Sequence, residues 1–415
     1  MELLSPAGNL DKLKTVYNFG ADAAYIGIRN FSLRRKSDNF HQEEYDEIKK
    51  MKGEKKLYGA LNIYFHHEDL QNLENHIDYL SEYPFDAFII SDLGIIDTLQ
   101  KHFPHVELHL STQANCINRE AAKVYSRLGF SRIILGRETP LDEIKRIKDA
   151  IPDTELECFV HGAMCLAYSG RCFLSKYMAD RSANQGLCAH SCRWDYRLLS
   201  QNNLALEEKE RPGEYFPIEE SDGFTTILSS KDLCMIDHLK ELQDAGIDSI
   251  KIEGRMKSAY YAAVITRAYR KHLDALNDPS SISKEDLDFY REELFKVSHR
   301  EFSTGFFFGK DEIERPNTNE RMQSHQFLGS IGNEVSQSED AMYQHRFELN
   351  LKNKIIIGEE LEIIGPDLAL AKTNAYRILN KDGAPMEEVN HMETCTIEID
   401  LPLQMGYLLR RLPHD

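Results

Sequence analysis

The chain has 415 residues, of which 41% are hydrophobic and 28% charged, and these values are typical of a globular protein. Its 50 Lys and Arg against 68 Asp and Glu give a formal charge of -18, which excludes a generic basic coat protein for nucleic acid and leaves only a local basic patch for RNA binding. The amino terminus has neither the basic start nor the apolar run of a signal peptide, and no segment approaches the roughly 20 apolar residues of a membrane span. We therefore expect a cytoplasmic protein without a membrane partner.

Short β-branched or aromatic runs alternate with segments of helical period from the first residues to about 275. The predicted strands are Glu2–Leu4, Asp22–Gly27, Leu57–Asn62, Ala87–Asp92, Glu107–Gln113, Arg132–Arg137, Glu155–Gly162 and Ser249–Gly254. Eight βα units without a GxGxxG motif after the first strand favour an α/β fold, a closed (β/α)8 TIM-like barrel. An open doubly wound sheet is the structural alternative.

Two regions outside the repeat define the expected domains. A cysteine-rich excursion occupies residues 163–248, inside a barrel domain of residues 1–276. Residues 277–326 form a linker with a charged helix and an aromatic run at 304–309. From Phe327 onward apolar and polar residues alternate between turn signals, which predicts a small all-β barrel domain over 327–415.

Polar side chains are dense where the barrel strands end, which is where such barrels place their functional groups. Each residue alone is as well explained by a helix cap or a turn, whereas the set together favours a binding site. The predicted substrate-binding residues are Ser111, Gln113, Asn115, Arg137, Arg171 and Lys257, and the predicted catalytic residues are His161, Glu253 and Arg255.

Five of the eight cysteines lie between residues 158 and 192, which in a chain of this size indicates metal or redox chemistry rather than disulfides. The central four have the spacing C-x6-C-x15-C-x3-C, unlike zinc ribbons or ferredoxin runs, so tetrahedral zinc and an iron–sulfur cluster both remain open. These four are Cys165, Cys172, Cys188 and Cys192, and Cys234 is an alternative fourth ligand. Free cysteines of the core are expected at Cys116, Cys158 and Cys395.

Cations collect locally despite the negative net charge, after the second strand and among the cysteines. These cations are Arg29, Arg34, Arg35, Lys36, Arg171, Arg181 and Arg193. Two aromatic residues nearby, Phe31 and Tyr168, are candidates to stack on a splayed base. The alternative is that the basic residues form a solvated surface and the aromatic residues cover the core.

Four stretches together resemble the collagenase-like family of peptidases of unknown type, over nearly the whole chain. They are Glu157–Ser175, Glu2–Gly8, Ser111–Asn115 and Lys251–Arg255. The C-terminal β domain is similar to that of the long bacterial branch, which despite the family name resembles hydroxylation factors. The resemblance implies prephenate-dependent, oxygen-independent hydroxylation of the wobble uridine of tRNA at carbon 5. It also implies a 4Fe-4S cluster on Cys165, Cys172, Cys188 and Cys192, with prephenate as co-substrate and tRNA as partner.

Two other functions remain open beside hydroxylation. A peptidase is suggested by the family name, although the sequence has no HExxH or GxSxG motif and offers only His161 near Cys165 or Ser175 as a dyad. A non-catalytic RNA-binding protein with a structural metal is the other alternative. The β domain is expected either to dock RNA or to cover an apolar patch of the barrel through Phe306, Phe307 and Phe308.

Overall fold

The computed structural model describes most of the chain. The described residues are 1–28, 31–32, 40, 44–165, 167–172, 174–179, 181–185, 187–189, 191, 205–207, 215–217, 219–221, 224–226, 231–309, 322–337, 343–391 and 393–413.

The first three quarters of the chain alternate between strands and helices. The strands are β1 (Glu2–Ala7), β2 (Ala23–Gly27), β3 (Lys56–Leu61), β4 (Ala87–Ile90), β5 (Glu107–Leu110), β6 (Arg132–Ile134), β7 (Glu155–Ala163), β8 (Ala205–Glu207), β9 (Tyr215–Pro217), β10 (Glu219–Ser221), β11 (Phe224–Thr226), β12 (Asp232–Cys234), β13 (Ser249–Ile252) and β14 (Phe302–Ser303). The helices are α1 (Leu10–Asn18), α2 (Tyr45–Lys52), α3 (His67–Asn75), α4 (Ile77–Ser81), α5 (Ile96–His102), α6 (Arg119–Arg127), α7 (Leu141–Ala150), α8 (Leu174–Ala179), α9 (Leu239–Asp244), α10 (Ala259–Asn277) and α11 (Lys284–Glu293).

Strands β1 to β7 and β13 form a closed parallel barrel. Each strand pairs with its neighbour in chain order, and β13 pairs in parallel with both β7 and β1, so the circle is complete. Strands such as β4 are buried along their whole length because helices cover a parallel barrel on the outside. The predicted (β/α)8 barrel is confirmed, and the open doubly wound sheet is wrong.

The barrel interior at its amino-terminal end contains a network of buried charges. The Arg132 guanidinium, 2% exposed, donates to Glu2 at 2.5 Å and to Glu157 at 3.0 Å. Lys251 donates to the other oxygen of Glu157 at 3.0 Å. Burial raises the pKa of Glu2, but the hydrogen bonds and charge of Arg132 outweigh burial and lower that pKa to about 2. The carboxylates therefore stay ionised and pair with cations inside the barrel.

The C-terminal domain is an antiparallel sheet with its own apolar core. Its strands are β15 (Gln326–Gln337), β16 (His345–Leu351), β17 (Ile355–Ile356), β18 (Leu361–Ile364), β19 (Ala371–Thr373), β20 (Tyr376–Asn380), β21 (Glu388–Val389), β22 (Cys395–Ile399) and β23 (Leu408–Arg411). The main sheet has the order β19-β18-β23-β15-β16-β22-β20, and in the described part of the chain no pairing joins its two edge strands. The all-β prediction is confirmed, although these pairings leave the sheet open where a closed barrel was expected.

The two domains meet at helices α10 and α11 through a buried charge cluster. Arg410 of β23 donates to both oxygens of Glu293, at 2.7 and 2.9 Å, and Arg267 of α10 donates to the same carboxylate at 3.1 Å. All three side chains are at most 1% exposed. The Arg410–Glu293 ion pair therefore joins the β domain to helix α11 without contact with water.

The aromatic run 304–309 has a different place from the one expected. Phe307 belongs to the barrel core, and its carbonyl accepts a hydrogen bond from Leu141 at the start of α7. Phe308 packs edge-on against His238 at 4.7 Å between ring centroids. The contacts of Phe307 and Phe308 are therefore with the barrel, whereas Ile364 and Leu408 of the β domain join the apolar core of the barrel. In the described part of the chain, no helix is both long and apolar enough to span a bilayer.

Candidate functional site

A cavity of about 1310 Å³ opens at the carboxyl ends of the barrel strands. Residues in or directly after every barrel strand contribute to its wall, among them Asn9, Tyr25, Asn62, Ile89, Ser111, Arg137, Ala163 and Glu253. This is the position at which barrels of this kind bind their ligands. The volume exceeds the range of roughly 300–1,000 Å³ that is usual for a single small ligand.

Arg137 and Glu253, predicted to be functional from separate strand ends, meet in this cavity. Arg137 follows β6 and donates from Nη2 to Glu253 Oε2 at 3.0 Å, while Nη1 donates to the carbonyl of Ala163 at 2.5 Å. The guanidinium also lies 4.0 Å above the ring of Phe159. These contacts fix a planar cation and a carboxylate side by side at the cavity wall.

Arg255 reaches the cavity from the loop after β13 and is only 4% exposed. Its Nη1 donates to Ser32 Oγ at 2.6 Å and passes directly over the backbone of Gly27 at the end of β2. A Cβ atom at residue 27 would lie 2.1 Å from that nitrogen, so glycine is required for the guanidinium to take this position. The glycine at the strand end is therefore part of the site.

The other predicted substrate-binding residues divide into two groups. Ser111, Gln113 and Lys257 line the cavity, and the Lys257 ammonium donates to the carbonyl of Ser298 at 3.0 Å. Asn115 and Arg171 are not part of the cavity wall. Asn115 instead occupies a left-handed conformation, φ 55°, and its amide donates to Glu138 at 3.4 Å. Asn115 therefore lies in a turn, and Arg171 is exposed at the surface.

His161 is the predicted catalytic residue that the fold places elsewhere. Residues Glu157 and Phe159 point into the barrel, and strict alternation along β7 would put His161 on the same face. The pairing with β13 shifts after Phe159, however, because Lys251 faces Phe159 while the next residue, Ile252, faces His161. This bulge turns His161 toward α10, where its ring contacts Tyr261, Tyr269 and Phe302. His161 is 1% exposed and does not line the cavity.

The environment of His161 also disfavours acid–base work at neutral pH. Burial lowers its pKa to about 3, and repulsion from His299 and Lys257 contributes to the same direction. Its Nε2 atom has no hydrogen-bond partner among the described residues. A ring that stays neutral and enclosed is a core residue rather than a proton carrier.

A pH-dependent stability follows from this buried imidazole. Between the folded pKa of about 3 and the ordinary value near 6.5, the unfolded chain binds a proton that the folded chain does not, so stability falls as the pH drops. Lowering the pH from 7 to 5 should reduce the free energy of unfolding of the wild type. We expect this reduction to be about 2 kcal/mol smaller in His161→Gln, whatever the overall stability of that variant. Urea unfolding at both pH values measures this difference, with exposed His105→Gln as the control. Equal losses in His161→Gln and the wild type would show that the pKa of His161 is the same in the folded and the unfolded chain.

Three of the proposed metal ligands line the same cavity. Cys165 is exposed, Cys172 and Cys188 are half-buried, and all three contribute to the wall near Gly170. Gly170 has φ 74° and packs so closely on the carbonyl of Gln113 that a Cβ atom would lie 2.0 Å away, which anchors the excursion to the barrel. Cys192 lies outside the described residues.

The donor chemistry of this set fits a soft metal centre. Accessible thiols around one cavity are the ligands that iron–sulfur clusters and zinc prefer. Within the described ranges, no three His, Cys, Asp or Glu side chains gather closely enough to hold a metal ion. The described cysteines thus supply the right ligand type at one cavity without forming a closed site among themselves.

Cys234 is not brought to the other three. It lies on β12, which runs antiparallel to β7 and places Cys234 opposite His161. Its Sγ atom is 3.9 Å from the hydroxyl of Tyr269, and burial raises its pKa to about 11. The suggestion that Cys234 replaces one of the four ligands is therefore not supported by its position. Cys116, Cys158 and Cys395 are buried, as predicted.

The cavity concentrates positive charge in an acidic chain. Its wall contains Lys12, Arg137, Lys251, Arg255, Lys257, Arg300 and Lys352, against the acidic Asp11, Glu138, Asp232 and Glu253. Seven cations against four carboxylates make the wall a local exception to the formal charge of -18. Such a wall attracts an anionic ligand.

Lys251 is the clearest functional candidate that sequence reasoning missed. It is 3% exposed, contacts Glu157, and lies 4.4 Å from the ring centroid of Tyr25 beneath the cavity residues. Burial lowers its pKa, although the charge of Glu157 opposes that shift. A lysine in the middle of an apolar strand was the available signal, because such a residue is rarely buried without a partner.

The aromatic and basic candidates have mixed outcomes. Phe31 is fully buried and stacks on Phe65 at 5.8 Å, so it covers the core and is not free to stack on a base. Tyr168 lines the cavity and is 56% exposed. Of the two aromatic candidates, Tyr168 is therefore the one whose ring is exposed for stacking on a base. The basic residues Arg29, Arg34, Arg35, Lys36 and Arg193 lie outside the described residues.

The fold and the cavity define a (β/α)8-barrel protein with a large cavity at the strand ends, and an appended β domain completes the wall of this cavity. Comparison with known proteins gives the family: residues 8–317 match peptidase family U32, and residues 323–410 match the C-terminal domain of that family. The chain belongs to peptidase family U32.

The names of similar proteins in this family refer to different activities. The chain is 36% identical to "tRNA hydroxylation protein P1" of Bacillus subtilis, over 99% of this chain and 94% of that protein. It is 34% identical to "tRNA hydroxylation protein P" of Escherichia coli, over 88% of this chain and 86% of that protein. It is also 30% identical to "Collagenase" of Porphyromonas gingivalis, over 74% of each chain.

Proposed function

We propose that this chain is a tRNA-modifying enzyme that converts the C5–H of the wobble uridine to C5–OH without molecular oxygen, with an organic co-substrate that supplies the oxygen atom and accepts the two electrons removed from the base. The observation that carries the proposal is the cationic cavity at the barrel strand ends of an otherwise acidic chain. The full-length similarity to two tRNA hydroxylation proteins supports RNA as the anionic substrate.

The chain's own residues suit a single nucleotide that is splayed out of an RNA loop. Tyr168 offers an exposed ring for stacking, and base stacking on aromatic side chains is how single-stranded RNA is usually held. Ser111 and Gln113 place a hydroxyl and an amide on the same wall, where they can hydrogen-bond the edge of a pyrimidine.

We further propose that the guanidinium groups bind a small dicarboxylate co-substrate, prephenate. Planar Arg side chains suit carboxylates because they present two parallel donors. Arg137 and Arg255 both line the cavity, and Lys257 adds a third cation nearby. Glu253 orients the Arg137 fork through the 3.0 Å ion pair.

Cys165, Cys172, Cys188 and Cys192 are the residues that we propose hold a 4Fe-4S cluster, with zinc as the alternative metal. When bound, such a cluster supplies one-electron transfer next to the substrate. Gly170 contributes by fixing the excursion, and with it Cys172, against Gln113 on the barrel. The thiols that line the cavity thereby stay beside the nucleotide site.

Loss of a ligand thiol is expected to remove the cluster. We expect anaerobically purified Cys165→Ala and Cys172→Ala to lose most of their iron and acid-labile sulfide, because the remaining thiols cannot complete the coordination. Metal and sulfide analysis measures this, with buried Cys395→Ala, in the β domain, as the matched control. Full iron content in both cavity variants would exclude this ligand set, and zinc without sulfide would favour the alternative metal.

Hydrolysis of peptides has less support from the site. The one dyad suggested by the sequence, His161 with Cys165 or Ser175, is not assembled at the cavity, because His161 faces α10. Geometry between nucleophile and base is the first requirement of such chemistry. The name of the collagenase relative therefore has no counterpart in this arrangement.

An assay with purified components tests the proposal. Anaerobically purified chain is incubated with prephenate and with tRNA from cells that lack the chain, and the nucleosides are then analysed by mass spectrometry. Conversion of the wobble uridine to 5-hydroxyuridine is expected, with no cleavage of gelatin in parallel. Binding of tRNA without conversion would favour the non-catalytic RNA-binding alternative, and gelatin cleavage without conversion would favour the peptidase.

A further inference from the structure

The cavity has a second wall that the barrel does not supply. Gln326 and Phe327 of β15 line it, together with Lys352 and Asn353 in the turn after β16. These residues belong to the C-terminal β domain, whereas the nucleotide and carboxylate sites proposed above belong to the barrel. The ligand cavity is thus a joint structure of both domains.

This part of the β domain is held in a defined position. The backbone N–H groups of Lys352 and Asn353 both donate to the carbonyl of Leu328, at 2.8 and 3.1 Å, and the Asn353 amide donates to Phe327 at 2.7 Å. Phe327 in turn stacks on Tyr260 of α10 with centroids 5.4 Å apart and planes within 1°. The turn is therefore tied through β15 to the helix that begins beside the cavity.

The buried charge cluster extends this connection. The Tyr260 hydroxyl accepts a hydrogen bond from Arg410 at 3.1 Å, and Arg410 is the residue that Glu293 holds at the domain interface. Tyr260 also lines the cavity. This one side chain therefore stacks on Phe327, accepts a hydrogen bond from Arg410 at the domain interface and borders the space for a ligand. A domain that was only tethered to the barrel would need none of these contacts.

Lys352 is the charged group of this wall that has no ion-pair partner among the described residues. Its side chain is exposed, whereas Lys354, two residues further on, pairs with Glu388 at 2.6 Å and is not part of the cavity wall. An exposed ammonium group is a flexible point charge that suits the phosphates of a nucleic-acid backbone, which are read without regard to sequence.

We propose that the Lys352–Asn353 turn binds a backbone phosphodiester of the RNA strand whose nucleotide enters the barrel. This inference rests on the proposed function and adds the part of the substrate that the β domain contacts. The cavity is larger than one small ligand requires, so a nucleotide with its flanking phosphate fits the space better than a single small anion. The guanidinium groups of Arg137 and Arg255, which suit a carboxylate, lie in the barrel. The ammonium group of Lys352 lies in the β domain.

The test compares two neighbouring lysines. The dissociation constant of full-length chain for tRNA is measured over a fourfold range of salt for the wild type, Lys352→Ala and Lys354→Ala. Each lost phosphate contact lowers the slope of log Kd against log salt by about 0.7 to 0.9, which corresponds to about a threefold smaller loss of affinity over this range. We expect weaker binding and this lower slope in Lys352→Ala, and neither change in Lys354→Ala.

The outcomes separate this inference from the proposed function. If the wild type binds and modifies tRNA but Lys352→Ala has an unchanged slope, or if Lys354→Ala loses as much, the phosphodiester contact is wrong and the function stands. If Lys352→Ala keeps its affinity for tRNA but needs more prephenate for half-maximal rate, the lysine binds the small anion instead. If the wild type neither binds nor modifies tRNA, both the function and this inference fall.

Discussion

Glu293→Ala is expected to lower the free energy of unfolding by about 3–5 kcal/mol. Glu293 is fully buried and is the shared partner of Arg267 and Arg410. Burial raises its pKa, but the hydrogen bonds and charge of Arg410, with Lys296 and Arg267, outweigh burial and lower it. Removing this carboxylate leaves two buried guanidinium groups with reduced compensation, which costs more than the pair itself contributes.

Urea unfolding and limited proteolysis between the domains measure this effect. The adjacent Glu292→Ala is a matched control, because Glu292 is exposed and pairs only with Arg291 among the described side chains. We expect Glu292→Ala to change stability by no more than about 0.5 kcal/mol. If Glu293→Ala is as stable as Glu292→Ala, the charge cluster does not hold the domains together.

Arg255→Lys is expected to lower the rate of tRNA modification at least about tenfold while the fold survives. The Arg255 guanidinium lies over Gly27 and donates to Ser32, an arrangement that places a planar fork in the cavity. Lysine keeps the charge but presents a single ammonium on a flexible stem, so it cannot form two parallel bonds to a carboxylate.

The rate is measured by nucleoside mass spectrometry with purified variants, alongside their melting temperatures. Arg146→Lys on α7 is the matched control, since Arg146 is 61% exposed and pairs with Asp142 and Glu143 at the surface. A normal rate in Arg255→Lys would make Arg255 a structural residue. Equal loss of melting temperature and rate would show that the effect arises from the fold.

Local patterns in the sequence predicted the barrel because its signals are themselves local. Apolar strand runs recur with each βα unit, and several helices end at a glycine, as at Gly20, Gly129 and Gly246, which all have positive φ. The strand ends then placed Arg137 and Glu253 at one cavity, although they are far apart in the chain. Periodicity and topology together were sufficient for these residues.

His161 and Asn115 show that position along a strand does not by itself tell where a side chain lies. The bulge in β7 depends on how β13 pairs with it, and alternation along one strand carries no information about that register. Asn115 lies at a predicted strand end but the strand stops at Leu110, so the residue forms a left-handed turn instead. The position of His161 thus depends on pairing with a distant strand, and that of Asn115 on where its own strand ends.

The contribution of the β domain to the cavity wall could not be predicted from the sequence, for a different reason. Lys352 and Asn353 are ordinary turn residues in the sequence, and only the domain interface brings them to the barrel. That interface depends on Glu293, Arg267 and Arg410. Arg267 and Arg410 are more than a hundred residues apart in the chain, and none of the three belongs to a local sequence motif. Contacts between domains of this kind follow from the three-dimensional arrangement alone.

Hydroxylation of tRNA by this chain can be measured in cells. Total tRNA from a strain that lacks the chain is digested and compared by mass spectrometry with tRNA from the same strain carrying the wild-type chain. We expect 5-hydroxyuridine and nucleosides built on it to be missing without the chain and to return with it, and we expect Cys165→Ala not to restore them. Identical nucleoside profiles with and without the chain would show that it does not hydroxylate tRNA.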